Sequence, residues 1–454
     1  MHRLLRISFL VGLLASPLTA QPRVDRHVIL ITIDGFPASM WPDPSIPLPN
    51  LRKLAAKGAQ ADALTVSNPT ITWPNHTTLV TGVTPRRHGV LFNGYVTRQG
   101  PGHPTRNAPW TDKSIMVRVP TVYDAAHAAG LTTAECDWVA VSKAKTIQWS
   151  FAELPDPDGT VAREMVEAGK ATRDEIVAAH AGKAKRNIVS RDELWLRAAQ
   201  YIFERHRPNL LLLHLLSTDS IHHRYGPGSL ASYSALALAD RLVGEMIRTV
   251  ESSGLLEQTT FIVTTDHGFK KVQTQIFPNV ILKHAGYLRT AGVRVIECDA
   301  FAGTQGGIAF IYVTDPSKKN DLLPKLKTLF SRTKGVAQVL DGFEAPRFGM
   351  PTPEENQAMG DLILFADEGC YFAASSIEEY VSSPAFENGG SHGFPASEPE
   401  LDGIFLAAGA GIRERVHLER VSNLDIAPTI AHLLRISFPE TDGKVIAEVV
   451  SDQP

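Results

Sequence analysis

Cysteine is scarce in this 454-residue chain, which contains only Cys136, Cys298 and Cys370. Because the three are far apart, they indicate neither a thiolate zinc site nor a disulfide framework. We expect buried small side chains, with one disulfide as the most that could form. An excess of charge of one sign is also lacking, since 45 Lys and Arg stand against 48 Asp and Glu. This balance argues against a nucleic acid as a stable partner.

Long apolar runs are absent apart from the N-terminus, so no transmembrane span is predicted in the mature chain. Two arginines precede an apolar run at residues 7–15, and a cleavage site could lie before Gln21. We predict an export signal over residues 1–20 and a periplasmic or secreted protein. Because Leu18 stands where signal peptidase prefers a small residue, an uncleaved anchor is the alternative.

Apolar strand-like runs alternate with amphipathic helical patterns along the rest of the chain. This alternation predicts an α/β protein with a mostly parallel central sheet and helices on both faces. The predicted strands include residues 27–33, 209–216, 259–264 and 403–408. We expect one catalytic domain, residues 21–454, with insertions that cap the site at about 95–119, 151–190 and 268–361.

The segment T-I-T-W-P-N-H-T-T-L-V-T-G at residues 70–82 is the most informative part of the sequence. It places Thr72 just before a Trp-Pro-Asn turn that opens a predicted helix over residues 73–81. Unpaired N–H groups and the helix dipole favour negative charge at that end. Thr72 is therefore a candidate nucleophile, provided that its hydroxyl pKa is lowered. Asn93 lies downstream, where it could also be a simple turn residue before Gly94.

Asp and His residues cluster at or near the predicted carboxyl ends of strands, where open α/β sheets place their sites. Carboxylate oxygens and imidazole nitrogens are zinc ligands, and two such ions can hold the attacking and leaving oxygens of phosphoryl transfer. His222 competes with His223, since both can face inward from a helical turn next to Asp219. His76, His88, His214 and His222 fit packing or capping better than ligation. The candidate metal ligands are Asp34, Asp219, His223, Asp266, His267 and His392.

Together and in this order, these segments resemble the nucleotide pyrophosphatase/phosphodiesterase family of the alkaline phosphatase superfamily. The motifs that carry the resemblance are I-T-I-D-G-F (31–36), T-W-P-N-H-T-T-L-V-T-G (72–82), H-G-V-L-F-N (88–93), D-S-I-H-H-R-Y-G-P (219–227), D-H-G (266–268) and S-H-G (391–393). The resemblance implies an alkaline-phosphatase-like fold and a hydrolase that cleaves phosphodiester or phosphoanhydride bonds of a small molecule such as a nucleotide.

The resemblance also implies two Zn²⁺ ions and a phospho-threonine intermediate. One ion would be held by Asp219, His223 and His392. The other would be held by Asp34, Asp266 and His267, with Thr72 as the nucleophilic ligand. Asn93 would donate to a non-bridging phosphoryl oxygen.

Two departures from the family pattern leave the substrate open. Trp73 replaces the usual phenylalanine or tyrosine, and D-W-V-A-V-S-K at residues 137–143 stands where Trp-Pro-Gly is common. Trp73, Tyr95 and Trp110 are candidates for stacking on a base. A phosphomonoesterase or phosphonate hydrolase that uses Lys143 and Lys145 is the main alternative. A phosphotransferase and a non-catalytic binding protein are further alternatives.

Overall fold

The computed structural model describes residues 26–182, 187–384 and 389–451. The predicted export signal at residues 1–20 lies outside the described residues. The strands are β1 (His27–Ile33), β2 (Ala59–Thr65), β3 (Tyr95–Thr97), β4 (Arg106–Ala108), β5 (Thr133–Cys136), β6 (Trp149–Phe151), β7 (Leu210–Leu215), β8 (Thr259–Thr264), β9 (Lys270–Lys271), β10 (Thr274–Ile276), β11 (Leu288–Ala291), β12 (Arg294–Cys298), β13 (Ala300–Gln305), β14 (Ile308–Val313), β15 (Val336–Asp341), β16 (Leu362–Ala366), β17 (Cys370–Phe372), β18 (Ser382–Pro384), β19 (Gly390–Ser391), β20 (Gly403–Gly409) and β21 (Val416–Ser422).

The α-helices alternate with these strands over most of the chain. They are α1 (Pro49–Lys57), α2 (Thr72–Thr81), α3 (Pro85–His88), α4 (Lys113–Met116), α5 (Val122–Ala128), α6 (Thr160–Glu167), α7 (Arg173–His180), α8 (Ile188–His206), α9 (Ser217–Tyr225), α10 (Leu230–Ser252), α11 (Pro278–His284), α12 (Lys319–Ser331) and α13 (Ile426–Leu433).

The main sheet has the strand order β21-β2-β20-β8-β1-β7-β5-β6. All of its strand pairs are parallel except those of β20, which runs antiparallel to β2 and β8. The mostly parallel sheet that the sequence predicts is therefore confirmed, and β1 and β8 begin and end at the predicted residues. The strands β8, β1 and β7 lie side by side near the centre of the sheet.

Side chains of β1 alternate between two buried clusters, one on each face of the sheet. Val28 and Leu30 belong to a cluster with residues of α2, α5 and α13. Ile29, Ile31 and Ile33 belong to the other cluster, with residues of α1, α8 and α10. A strand that is buried on both faces reads as a continuous apolar run, as H-V-I-L-I-T-I does. Helices on both faces are thus confirmed.

A second, antiparallel sheet with the order β13-β14-β16-β15 lies mainly in the third predicted insertion. Its strand β16 begins at Leu362, just past the predicted boundary at residue 361. Ile311, Val313 and Leu364 of this sheet share one buried cluster with Val28 and Leu30 of β1. The second sheet is therefore packed onto the core of the main sheet.

The two shorter predicted insertions are attached in different ways. The hairpin of β3 and β4 is tied to the second sheet by Arg98, whose Nη1 lies 2.9 Å from Asp361 Oδ2. The other insertion starts at the last residue of β6, a strand that extends the main sheet by pairing with β5, and it contains α6 and α7. Cys136, Cys298 and Cys370 are free thiols in the structure. None of the described helices has both the length and the apolarity that a membrane span needs.

Candidate active site

The central strands of the main sheet deliver most of the predicted ligands to one edge. Asp34 follows β1 directly, and Asp266 is two residues beyond the end of β8. The helix α9 begins two residues after β7 and carries Asp219 and His223. His392 comes from the other direction, in the segment between β19 and the antiparallel strand β20. Because parallel strands end at the same edge, residues distant in sequence meet there.

The structure brings all six predicted ligands together. Donor atoms of Asp219, His223 and His392 lie within 4.8 Å of one another, and so do donor atoms of Asp34, Asp219 and His267. We call Asp219, His223 and His392 the first ligand group and Asp34, Asp266 and His267 the second; Asp219 has donor atoms close to both. Asp266 completes the second group, since its Oδ2 lies 3.2 Å from His267 Nε2.

The three histidines of the two groups share one orientation. Nδ1 of each donates to a backbone carbonyl oxygen: His223 to Gly390 at 3.2 Å, His267 to Gly268 at 3.0 Å and His392 to Thr70 at 2.9 Å. A carbonyl oxygen only accepts, so Nδ1 carries the proton. In the neutral ring, Nε2 then presents its lone pair to the carboxylates, which is the arrangement of a metal-ligating histidine.

Electrostatics favour neutral rings at His267 and His392. Burial lowers the pKa of His267 to about 4 and that of His392 to about 3. Burial also opposes a charge on His223, but the adjacent Asp219 carboxylate outweighs it and raises the His223 pKa. At neutral pH, His267 and His392 are therefore free to coordinate a cation.

The carboxylates of Asp34, Asp219 and Asp266 bring buried negative charge close together. Asp34 Oδ1, Asp219 Oδ1 and Asp266 Oδ2 are buried and have no hydrogen-bond partner among the described residues. Burial, with the neighbouring carboxylates of Asp266 and Asp219, raises the pKa of Asp34 well above its ordinary value. Such unpaired buried oxygens are costly unless a cation neutralises them. The donor set of oxygens and nitrogens fits zinc.

Thr72 is the first residue of α2 and points to the second ligand group. Its Oγ1 lies 3.5 Å from His267 Nε2. The backbone of Thr72 is fixed by His76, whose Nδ1 donates to the Thr72 carbonyl at 2.9 Å. Asn93 Oδ1 accepts from the Trp73 N–H at 2.9 Å, so the Asn93 amide group is anchored beside the start of this helix.

Two other histidines behave as the sequence predicted. His222 Nδ1 donates to the Gly35 carbonyl at 3.0 Å and its Nε2 accepts from Ser232 Oγ at 2.6 Å. Both ring nitrogens of His222 are thus engaged, whereas His223 Nε2 faces Asp219 Oδ1 at 3.3 Å. His88 is buried, and its Nε2 lies 3.1 Å from Thr78 Oγ1.

His214, for which the sequence favoured packing or capping, bonds directly to a candidate ligand. Its Nε2 donates to Asp34 Oδ2 at 2.9 Å and its Nδ1 to the Asp137 carbonyl at 3.1 Å. Burial opposes a charge on the ring, but Asp34 and Asp137 outweigh it and raise the His214 pKa to about 10. The available signal was a single histidine within the apolar strand L-L-L-L-H-L.

A cavity of about 690 Å³ lies beside α2 and is lined by Trp73, Trp110 and Trp138 as well as by residues 139–143. Trp73 and Trp110 meet edge to face, with ring centroids 6.3 Å apart. Tyr95 packs against the cluster that contains Trp73 and is not among the residues that line the cavity. The cavity therefore begins at Trp73, the residue after Thr72, and its aromatic walls suit an apolar or aromatic group.

The two lysines considered for a monoesterase do not form a paired cationic grip. Lys143 lies at the cavity wall, but its Nζ is 3.0 Å from Asp112 Oδ1 and its side chain is 75% exposed. Lys145 is exposed as well. Exposed lysines of this kind are ordinary surface residues.

Comparison with known proteins decides the family. The family described as "Type I phosphodiesterase / nucleotide pyrophosphatase" matches residues 28–395. The chain belongs to this family. It is therefore a hydrolase of the phosphodiesterase/nucleotide pyrophosphatase class, as the resemblance implied.

Relatives of this phosphodiesterase span nearly all of its length at low identity. Human ectonucleotide pyrophosphatase/phosphodiesterase family member 7 is 24% identical over 432 residues, which cover 92% of this chain and 81% of the human protein. The venom phosphodiesterase of Naja atra is 23% identical over 92% of this chain and 45% of its own. The murine family member 5, solved in an inactive form in complex with AMP, superposes with a TM-score of 0.70 at 18% identity, covering 94% of this chain and 100% of that one.

Proposed function

We propose that this phosphodiesterase cleaves phosphodiester or phosphoanhydride bonds with Thr72 as the nucleophile and two zinc ions as cofactors. The first ligand group, Asp219, His223 and His392, would hold one ion. The second, Asp34, Asp266 and His267, would hold the other next to Thr72. The observation that carries this proposal is the convergence of three Nε2 lone pairs and three unpaired carboxylate oxygens beside the Thr72 hydroxyl.

When bound, two such ions lower the pKa of a nearby hydroxyl and stabilise charge on the attacking and leaving oxygens. Thr72 Oγ1 loses its proton to solvent and forms a bond to phosphorus while the bond from phosphorus to the leaving oxygen breaks in line. The leaving group departs with a proton from solvent. Water then attacks phosphorus, which breaks the bond to Thr72 Oγ1 and regenerates its hydroxyl.

Residues of this chain also hold the phosphoryl group during the reaction. Because Asn93 Oδ1 is occupied by the Trp73 N–H, its Nδ2 donors are left to face a non-bridging phosphoryl oxygen. The N-terminus of α2 adds its partial positive charge at the same place. His76 holds the Thr72 backbone, so the nucleophile does not have to be ordered at the moment of reaction.

We propose a nucleotide as the substrate, with its base in the cavity that Trp73 and Trp110 line. The aromatic walls offer faces and edges on which a planar base can pack. The AMP complex of the murine relative supports this choice of substrate class. A phosphodiester with another planar or apolar group fits the same cavity and is the competing substrate.

Export of the protein is proposed from the N-terminal segment, in line with the ectoenzymes and venom enzymes among the relatives. N-terminal sequencing of the mature protein tests it: a start at or near Gln21 is expected, and a retained Met1 would contradict cleavage.

The nucleophile is tested with zinc-loaded protein on a phosphodiester, a phosphomonoester and a nucleoside triphosphate. We expect the diester to be cleaved faster than the monoester. Thr72→Ala should lose about three orders of magnitude or more of kcat because no other hydroxyl replaces the nucleophile. Its zinc content should stay at two ions, since the six side-chain ligands remain.

Thr81→Ala is the matched control, because Thr81 is a buried threonine at the far end of the same helix and its Oγ1 donates to the Thr77 carbonyl within α2. It should retain activity. Unchanged diester turnover in Thr72→Ala would reject the nucleophile assignment.

A further inference from the structure

Behind the two ligand groups lie four charged or titratable side chains that are almost completely buried: Asp137, Arg191, Asp192 and His214, none more than 2% exposed. They come from the turn after β5, the first turn of α8 and the strand β7. We call them the support network. Charged side chains are rarely buried unless ion pairs or hydrogen bonds compensate them. Each contact in the network therefore indicates which group it holds in place.

One arm of the network reaches the second ligand group. His214 Nε2 donates to Asp34 Oδ2 at 2.9 Å, which leaves Asp34 Oδ1 facing His267 Nε2 at 3.4 Å. His214 Nδ1 is held in turn by the Asp137 carbonyl. The Asp137 carboxylate accepts from Arg191 Nη2 at 2.5 Å. The rotation of Asp34 is thus fixed through His214 and Asp137.

The other arm reaches the first ligand group through the backbone. Asp192 Oδ1 accepts from the Leu216 N–H at 3.2 Å, and Asp192 Oδ2 from the Ser217 N–H at 2.9 Å. These N–H groups lie at the start of α9, the helix that carries Asp219 and His223. A carboxylate at this position fixes the first turn of a helix and interacts favourably with its dipole.

Arg191 joins the two arms. Its Nη2 bonds Asp137 and its Nη1 lies 3.4 Å from Asp192 Oδ1, so one planar guanidinium spans both carboxylates. The guanidinium also lies over the Trp195 ring, 4.5 Å from its centroid. A rigid fork with several donors can hold two partners at a fixed separation, which a lysine ammonium cannot do equally well.

We propose that Arg191 is a positioning residue that sets the two ligand groups relative to each other, through Asp137 and His214 on one side and Asp192 on the other. The inference rests on the proposed function, because the spacing of two cations determines where the attacking and leaving oxygens are held. Mutation of residues that orient metal ligands through hydrogen bonds typically lowers metal affinity or activity by about 10- to 100-fold.

The test is a Co²⁺ titration of the full chain, followed by absorption spectroscopy, with kcat measured in parallel. Asp192→Asn should lower the affinity for one Co²⁺ ion by about 10-fold or more. This should be the same ion that His223→Ala loses. His214→Phe should lower the affinity for the other Co²⁺ ion. His214→Gln should recover part of that loss, because the glutamine amide can still donate to Asp34. Arg191→Lys keeps the positive charge, but it should change the affinity for both Co²⁺ ions and lower kcat.

Asp240→Asn is the matched control. Asp240 is also a buried carboxylate that accepts backbone N–H groups at a helix start, those of Asn50 and Leu51 in α1. It should lower stability without changing either cobalt affinity. If Arg191→Lys and Asp192→Asn, like the control, lower stability but leave both cobalt affinities and kcat unchanged, the positioning role is overturned while the proposed function stands. No uptake of ions by the unaltered chain would overturn both.

Discussion

Buried carboxyl groups near the site differ in their partners, and this difference sets their protonation. Burial opposes ionisation of Asp219, but His223 outweighs it and holds the Asp219 pKa below its ordinary value. Glu135, near the end of β5, has no cation as a partner among the described residues, so burial raises its pKa to about 7. Hydrogen bonds from Ser150 Oγ and the Trp138 N–H reduce that rise without cancelling it. Glu135 is therefore a titrating structural group, separate from the ligand groups.

This difference predicts a pH dependence of stability. Because the Glu135 pKa is raised from 4.5 to about 7 on folding, its contribution is complete below pH 4.5 and is lost as the pH rises through 7. Glu135→Gln can still accept from the Trp138 N–H through Oε1, whereas the bond to Ser150 must reverse, with Nε2 donating to Ser150 Oγ; the substitution removes the titration. Relative to the unaltered protein, the variant should gain roughly 3 kcal/mol of unfolding free energy between pH 4.5 and pH 8.5. Urea unfolding at those two pH values measures it, and an equal difference at both would contradict the assignment.

At the scale of elements, the second sheet supports the segment that carries His392. The turn between β13 and β14 contacts this segment, since the Gly307 N–H donates to the His392 carbonyl at 2.7 Å. Gly393 has φ of +89°, and a Cβ there would lie 2.1 Å from the Gln305 carbonyl oxygen. The close approach of the two backbones therefore requires glycine at residue 393. The inserted sheet therefore helps to hold the backbone of His392 at the first ligand group, together with the Thr70 carbonyl, which accepts from the Gly393 N–H at 3.0 Å.

Two glycine substitutions separate backbone strain from this steric contact. Gly369 also has positive φ, at +69°, but nothing lies within 4 Å of its Cβ position. Gly369→Ala should cost about 1 kcal/mol and leave activity unchanged. Gly393→Ala should cost more than that and lower kcat at least about 10-fold, because the segment with His392 must shift. Chemical denaturation and diester turnover measure the pair, and equal effects would refute the supporting role of the second sheet.

At the scale of the whole molecule, the ligand groups join segments that are far apart in sequence. Asp34, Asp219, Asp266 and His392 come from four separate parts of the chain and meet at one sheet edge. Burial, together with repulsion from the carboxylates of Asp266 and Asp219, raises the pKa of Asp34 when no cation is bound. A cation bound there would link these segments and stabilise the folded chain.

Removal of metal should therefore lower the thermal stability of the whole domain. We expect a chelator to decrease the melting temperature by on the order of 5 °C, and added Zn²⁺ to restore it. Differential scanning calorimetry measures the shift. Asp34→Asn protein should show a smaller response, since one ligand and one repelling charge are gone. Identical melting curves with and without the chelator would show that no stabilising cation binds.

Much of the fold was predictable because local patterns determine it. Buried central strands need apolar side chains on both faces, so β1 and β8 were recognisable with their bounds. The antiparallel direction of β20 was not, because a run of apolar residues carries no information on strand direction. The second sheet was also missed as a unit, since its strand pairing joins residues of separate segments.

The candidate site divides in the same way. The sequence by itself determined which residues stand at strand ends, and therefore which carboxylates and imidazoles gather at one edge of the sheet. Only the tertiary structure decided that His223 and not His222 faces Asp219, that His214 holds Asp34, and that Arg191 connects both ligand groups. The reason is physical: strand ends follow from local periodicity, whereas the direction of a buried polar side chain depends on partners that distant segments supply.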